Sequence, residues 1–192
     1  MAKDVCPAQY LISYSAPLVL LFSTIVLISF KSTHRAATSG ATDDKTVMTN
    51  PAVESWPLPA DAVSETDGVA NWLRSEDANF QTVDQIKICK NINGLSTATA
   101  KLSEHFTEEI RSRLPNGRAK PSQTRVSAIH FENPTAVPLE PGWVMELIPI
   151  YTVQGTVEVG GQQHSPNTYF HLTSPARVSG NFFGLLLLSQ IP

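Results

Sequence analysis

An α+β domain behind a membrane anchor is the fold class this sequence predicts, and three observations carry it. Tyr10–Phe30, "YLISYSAPLVLLFSTIVLISF", is apolar and uncharged throughout. Between residues 60 and 114 the apolar side chains recur at helical spacing, and from residue 123 the period falls to two. Helices grouped ahead of strands imply helices packed into the concave face of a curved sheet, here an antiparallel meander of four strands.

At about 1.5 Å rise per residue, the Tyr10–Phe30 stretch is just long enough to cross a hydrocarbon core of roughly 30 Å. Pro17 is tolerated in a spanning helix, where neighbours satisfy the freed carbonyl. A cleaved signal peptide is the rival reading. Its apolar region would normally run to about 7–15 residues behind a more basic start than "MAKD", although "THRAATSGA" offers small residues for cleavage. The chain thus divides into a short cytoplasmic N-terminus (1–9), a transmembrane helix (10–30), a flexible linker (31–59) and a folded domain (60–192). In the linker Ser, Thr, Ala, Asp and Pro dominate, and "WPLP" is extended because residues before proline avoid the helical region. Trp56 reads either as an interfacial anchor or as a lid on the domain.

"SETDGVANWLRSEDANF" predicts a helix capped by Ser64 or Thr66, with Val69, Trp72, Leu73 and Phe80 as its apolar stripe. "VDQIKICKNING" continues with Val83, Ile86 and Cys89 at helical spacing and ends near Asn93-Gly94. Ser96 caps the next helix, whose stripe is Leu102, Phe106, Ile110 and Leu114 at steps of four. Pro115 and Asn116-Gly117 stop it.

The strands follow. "QTRVSAIHF" is the first. In the run 143–159, Trp143, Met145, Leu147, Pro149, Tyr151, Val153, Val157 and Val159 share one face, and Phe106 is expected to pack against it. Glu146, Ile148, Ile150, Thr152, Gln154, Thr156 and Glu158 take the other face. Pro149 removes a ladder donor and Gly155 permits a bend, so the strand is expected to bulge and curl there. "NTYFHLTSPARV" returns, and "GLLLLSQI" is a final strand buried on both faces.

Little here predicts chemistry. The formal charge of −3 gives no sign of a polyanionic partner, and no aromatic-plus-basic platform for nucleic acid appears. Arg111, Arg113, Arg118, Lys120 and Arg125 read as a solvated helix end and turn. Cys6 and Cys89 flank the apolar segment, so they cannot pair across a membrane. Without a C-x-x-C or His/Cys cluster no metal site is expected. Cys89 reads as a small core residue. Of the five histidines (34, 105, 130, 164 and 171), His105 or His130 with Asp84 and Tyr151 form the nearest candidates for a general base in a curved-sheet pocket. His164 and His171 flank a strand start. No nucleotide, hydrolase or zincin motif is present. The residues therefore predict no catalytic, cofactor-binding or metal-binding side chain.

The order of features resembles a known family. A single anchor and a Pro-rich linker precede a helix with Trp72 and a helix carrying His105-Phe106-Thr107. Then come Val126-Ser127-Ala128 opening a strand, and a strand with Trp143, Pro149 and Tyr151. This is similar to the IcmL/DotI family of inner-membrane proteins of type IVB secretion systems, which includes the conjugation protein TraM. The resemblance covers roughly residues 50–192. It implies a roll of the nuclear-transport-factor-like type, related to VirB-type scaffold components, with no enzymatic role and no cofactor. It also implies a single-pass protein of the bacterial inner membrane whose domain lies in the periplasm. Its expected partners are the lipid bilayer, other secretion subunits and further copies of itself. The flanking charges lean the other way. Lys3 and the amino terminus face Lys31 and Arg35, a count that weakly favours a cytoplasmic domain. Two readings from other classes stand beside this one: a membrane-tethered isomerase or lyase using the roll's pocket, and a secreted binding module.

Overall fold

The computed structural model describes residues 52–83, 85–113 and 123–191, with backbone alone at 107–113 and 123. In chain order the elements are β1 (Val53–Pro57), α1 (Ala60–Leu73), a 3-10 turn (Glu76–Ala78), β2 (Phe80–Val83) and β3 (Ile86–Cys89). After them come α2 (Ile92–Ala98), α3 (Ala100–Arg113), β4 (Gln123–Phe131), β5 (Thr135–Val137) and β6 (Trp143–Val159). The chain closes with β7 (Gln162–Gln163), β8 (Thr168–Leu172) and β9 (Ala176–Gln190). The strands form one sheet in the order β1-β8-β6-β9-β4-β3-β2, with β5 added to β9 and β7 to β6. Every pairing is antiparallel.

The expected four-stranded roll is therefore corrected to a nine-stranded sheet with three α-helices on one face. Two segments account for most of the difference. Val83, Ile86 and Cys89 are spaced by three, yet they lie on a hairpin in which Phe80 pairs Cys89 and Val83 pairs Ile86. Residues 53–57, expected as linker, pair with β8. Helix ends also move. Ser64 and Thr66 lie inside α1, bonding the carbonyls three residues back, and α1 starts behind Pro59. Ser96 lies inside α2, whose cap is the Asn91 side chain accepting from the Gly94 N–H. The expected transmembrane helix at 10–30 lies outside the described residues. Among the described residues, no helix is long and apolar enough to cross a membrane.

β6 and β9 form the backbone of the sheet, running from Trp143 opposite Gln190 to Val159 opposite Val178. Their register shifts between Pro149 and Tyr151, between Thr152 and Gln154, and between Gln154 and Glu158, the stretches where Pro149 and Gly155 were expected to bend the strand. On β9 the bend rests on Gly180. Its φ is +116°, and a Cβ there would sit 2.7 Å from the Thr156 carbonyl oxygen.

Both faces of the sheet are buried. On one, Leu95, Leu102 and Phe106 of the helices pack with Ala128, Ile148, Tyr169, Leu185 and Leu187. On the other, Met145, Leu147, Phe170, Leu172, Phe182 and Leu186 form one cluster with Val137, Val157, Val159 and Val178. The curled ends of β6 and β9 thus help to cover the face the helices leave open. Phe106 meets Tyr169 edge to face at 4.8 Å on the Ile148 side of β6. The expectation that it packs on the Trp143–Val153 side is corrected: the helices cover the face that alternation alone marked as the more polar.

Candidate functional site

Glu146 belongs to that helix-covered face, two residues before Ile148. It stands between His171 on β8 and Leu187 on β9 in the strand register, and it is fully buried. His171 Nδ1 lies 2.7 Å from Glu146 Oε1. The His171 side chain keeps 13% of its surface in solvent while that of Glu146 keeps none, so the ring is the outer member of the pair. As a carboxylate Glu146 only accepts, so Nδ1 carries the proton of a neutral His171 and Nε2 is left with its lone pair. Glu146 Oε2 is buried without a hydrogen-bond partner among the described residues. A buried acceptor left unpaired costs about 1–3 kcal/mol. Fold stability alone gives no reason to carry it.

The row that holds this pair extends outward to Glu54, which faces His171 from β1. One carboxylate oxygen of Glu54 accepts from Trp56 Nε1 at 2.9 Å. No cluster of three or more His, Cys, Asp or Glu among the described residues could hold a metal ion.

A second polar row lies further along the same face, beyond Ile148 and Leu185. Lys87, His130, Phe183 and Tyr151 stand side by side across β3, β4, β9 and β6. His130 stacks on Phe183 at 4.1 Å, and Tyr151 lies 6.1 Å from the same ring. Arg74, at the end of α1, covers Tyr151 with its guanidinium 3.8 Å from the ring centre. Here His130 Nε2 meets Asn181 Oδ1 at 2.9 Å, and Lys87 bonds Glu132 at 2.6 Å. That bond to Lys87 holds the Glu132 carboxyl below its usual range. Lys87 and His130 are each engaged by a neighbour and the Tyr151 ring is covered by Arg74, which makes this row a packed cluster.

Of the candidates read from the sequence, His130 and Tyr151 are brought together through Phe183. His105 sits half-buried on α3 next to Phe106, and Asp84 lies outside the described residues. His164 bonds the Thr168 carbonyl through Nε2 at 3.0 Å, and its burial lowers its pKa. Cys89 is buried, with its thiol 2.9 Å from the Ala78 carbonyl oxygen, and desolvation pushes its pKa up. That fits the core role expected for it. Sequence reasoning missed Glu146 as a site residue. The signal was a lone acid inside the apolar run "VMELIPI", and its partner lies 25 residues away.

The edge of β1, which pairs with no further strand among the described residues, is the other feature of note. The Leu58 N–H bonds the Asn167 carbonyl and the Thr173 N–H bonds the Ala52 carbonyl, so Glu54 and Trp56 aim their backbone groups at β8. Val53, Ser55 and Pro57 aim theirs outward. The Val53 carbonyl is taken by Gln162 Nε2 at 2.8 Å, and Pro57 has no N–H.

No family model matches this chain, and no curated protein does. Two solved structures are similar to it. A prolyl-4-hydroxylase of Pseudomonas putida is 12% identical over 73% of this chain and 93% of its own, with a TM-score of 0.45. A quercetin 2,3-dioxygenase from Acinetobacter baumannii is 10% identical over 59% of this chain and 34% of its own, with a TM-score of 0.34. Both neighbours are enzymes by name, which runs against the expectation of a chain with no enzymatic role. With TM-scores under 0.5 the likeness carries nothing about substrate, cofactor or mechanism. Those questions rest on this chain's own residues.

Proposed function

We propose that the domain is a membrane-tethered acid–base module in which His171 takes up and returns a proton and Glu146 holds its ring. The observation that carries this is the buried carboxylate 2.7 Å from the inner nitrogen of a histidine whose ring is the more exposed partner. A carboxylate so placed fixes the tautomer and orientation of the imidazole and stabilises its protonated form after transfer. The reaction class is proton transfer at a small molecule, as in an isomerase or lyase. The full chain should promote exchange of C–H for C–D in a panel of small carbonyl compounds in D2O, read by proton NMR. His171→Gln should lower that rate about a hundredfold or more. Exchange no faster than buffer for the whole panel, or undiminished exchange by folded His171→Gln, would overturn the reading.

A second reading is favoured by the outward-facing backbone of β1. In it the chain is a single-pass inner-membrane subunit of a type IVB secretion or conjugation apparatus, and its periplasmic domain assembles with partners by strand pairing. The order of Trp72, Phe106, Val126–Ala128, Trp143, Pro149 and Tyr151 supports it from the sequence side. Purification from native membranes should then bring down other secretion subunits. Recovery of the chain with none of them would count against it.

A further inference from the structure

We infer that the substrate of the His171 site is a small carbonyl compound carrying a positive charge, and that Glu54 on β1 is the residue that selects it. This rests on the acid–base reading and names the substrate class of that same site. Along one row of the sheet, His171 stands between two carboxylates, Glu146 on β6 and Glu54 on β1. The ring gives Nδ1 to Glu146 at 2.7 Å, and the two nitrogens of an imidazole point away from each other. Nε2 is therefore aimed away from β6, on the side where β1 carries Glu54.

Glu54 is placed to meet a substrate rather than to cap the histidine. Among the described residues it forms no ion pair with His171, although the two are direct partners in the register of β1 and β8. Partners of that kind lie about 5.5 Å apart at Cα, so both side chains reach one small molecule at once. The Trp56 indole donates to Glu54 Oε2 at 2.9 Å and holds the half-buried carboxylate at the edge of the sheet.

The charge balance selects the substrate. Among the described residues no Lys or Arg pairs with Glu54 or Glu146, and Glu146 Oε2 is buried without a partner. When Nε2 takes a proton from the carbon next to a carbonyl, the C–H electron pair moves onto the carbonyl oxygen and His171 becomes imidazolium. A neutral ketone thereby becomes an enolate anion beside two carboxylates, which repel it. A ketone that carries a cation gives an enolate that is neutral overall, and Glu54 attracts its positive end throughout. Return of the proton from Nε2 to carbon restores the ketone, with no oxidant or other co-reactant consumed. An anionic substrate would meet like charge on both sides of the ring.

The test uses two ketones of one shape, trimethylammonioacetone and methyl neopentyl ketone; the charged nitrogen of the first stands where the second has a carbon. Exchange of C–H for C–D by the full chain in D2O is read by proton NMR. Each rate is divided by the rate of the same ketone in buffer, which removes the difference in intrinsic acidity. The cation should then be favoured about tenfold or more, the order expected of one opposite charge near a protein surface. Glu54→Gln keeps an acceptor for the Trp56 indole but removes the charge, so it should erase most of that preference, and Glu54→Lys should reverse it. A residue that only held β1 in place would change both rates together and leave their ratio alone. Equal relative rates in the parent, or a preference that survives Glu54→Gln, overturns the proposal and leaves the acid–base reading standing. Exchange of neither ketone above buffer overturns the acid–base reading, and the proposal falls with it.

Discussion

Replacing Glu146 and His171 together by leucine separates what the buried pair costs the fold from what it does. His171→Leu alone strands a fully buried carboxylate. Leaving a buried charged acceptor without its hydrogen-bond partner costs more than the ~1–3 kcal/mol of a neutral one, a large share of the roughly 5–15 kcal/mol that holds a domain together. Glu146→Leu alone leaves an imidazole with 13% of its side chain in water and one lost hydrogen bond, a loss of about 1–3 kcal/mol. The double variant removes both polar groups and sets leucine beside Leu187, the cross-strand neighbour of Glu146. Replacing both partners of a buried hydrogen bond by apolar groups can be nearly neutral or stabilising. Urea unfolding of residues 48–192, which form one compact unit, followed by tryptophan fluorescence gives the midpoints. The expected order of stability is His171→Leu lowest, Glu146→Leu next, and the double variant at or above the parent. The strong non-additivity is the signature of a coupled pair. All three should be inactive. A double variant less stable than either single one would mean that the pair holds the fold together, and the argument that it is kept for chemistry would fail.

Other outcomes follow from the packing and the titrating groups. Phe106→Ala empties the contact with Tyr169 and should cost about 3–5 kcal/mol in the same urea assay, while Glu104→Ala on the exposed side of α3 should change little. Equal effects would mean that the helix faces the sheet differently. Gly180→Ala adds a Cβ at positive φ against the Thr156 carbonyl and should lose about 1–3 kcal/mol; an unchanged midpoint would refute the bend described at this point. Burial lowers the His164 pKa, so the unfolded chain binds more protons below pH 6.5, and stability should fall as the pH drops through that range. His164→Gln should remove part of the acid-side loss, and an identical pH profile would show that His164 is not its source.

Much of the sheet was legible, and the reason is physical. "QTRVSAIHF" is β4 from end to end and the run 143–159 is β6, because long strands buried on a curved sheet alternate over enough residues to be read. The helix stripe was legible in Leu102 and Phe106, which are both buried. Four-residue strands were not legible. On β2 and β3 the spacing of Val83, Ile86 and Cys89 fits a helix as well as a hairpin, and nothing local decides between them. β1 hid in a Pro-rich stretch because its order comes from β8, more than a hundred residues on. The site was illegible for a related cause. Alternation placed Glu146 on the polar face, which the fold covers with helices, and Glu146 itself is fully buried. Its pairing with His171 depends on a register between β6 and β8 that no local pattern sets.

The central claim is that a carboxylate holds the inner nitrogen of His171 and leaves the outer one able to take a proton. Nitrogen-15 NMR of the imidazole side chains, at a pH where His171 is neutral and with His171→Gln to assign its signals, reads this directly. The proton should reside on Nδ1, hydrogen-bonded to Glu146, with Nε2 bare, and Glu146→Leu should abolish that preference. A proton resident on Nε2 in the parent, or a tautomer indifferent to Glu146→Leu, would contradict the account.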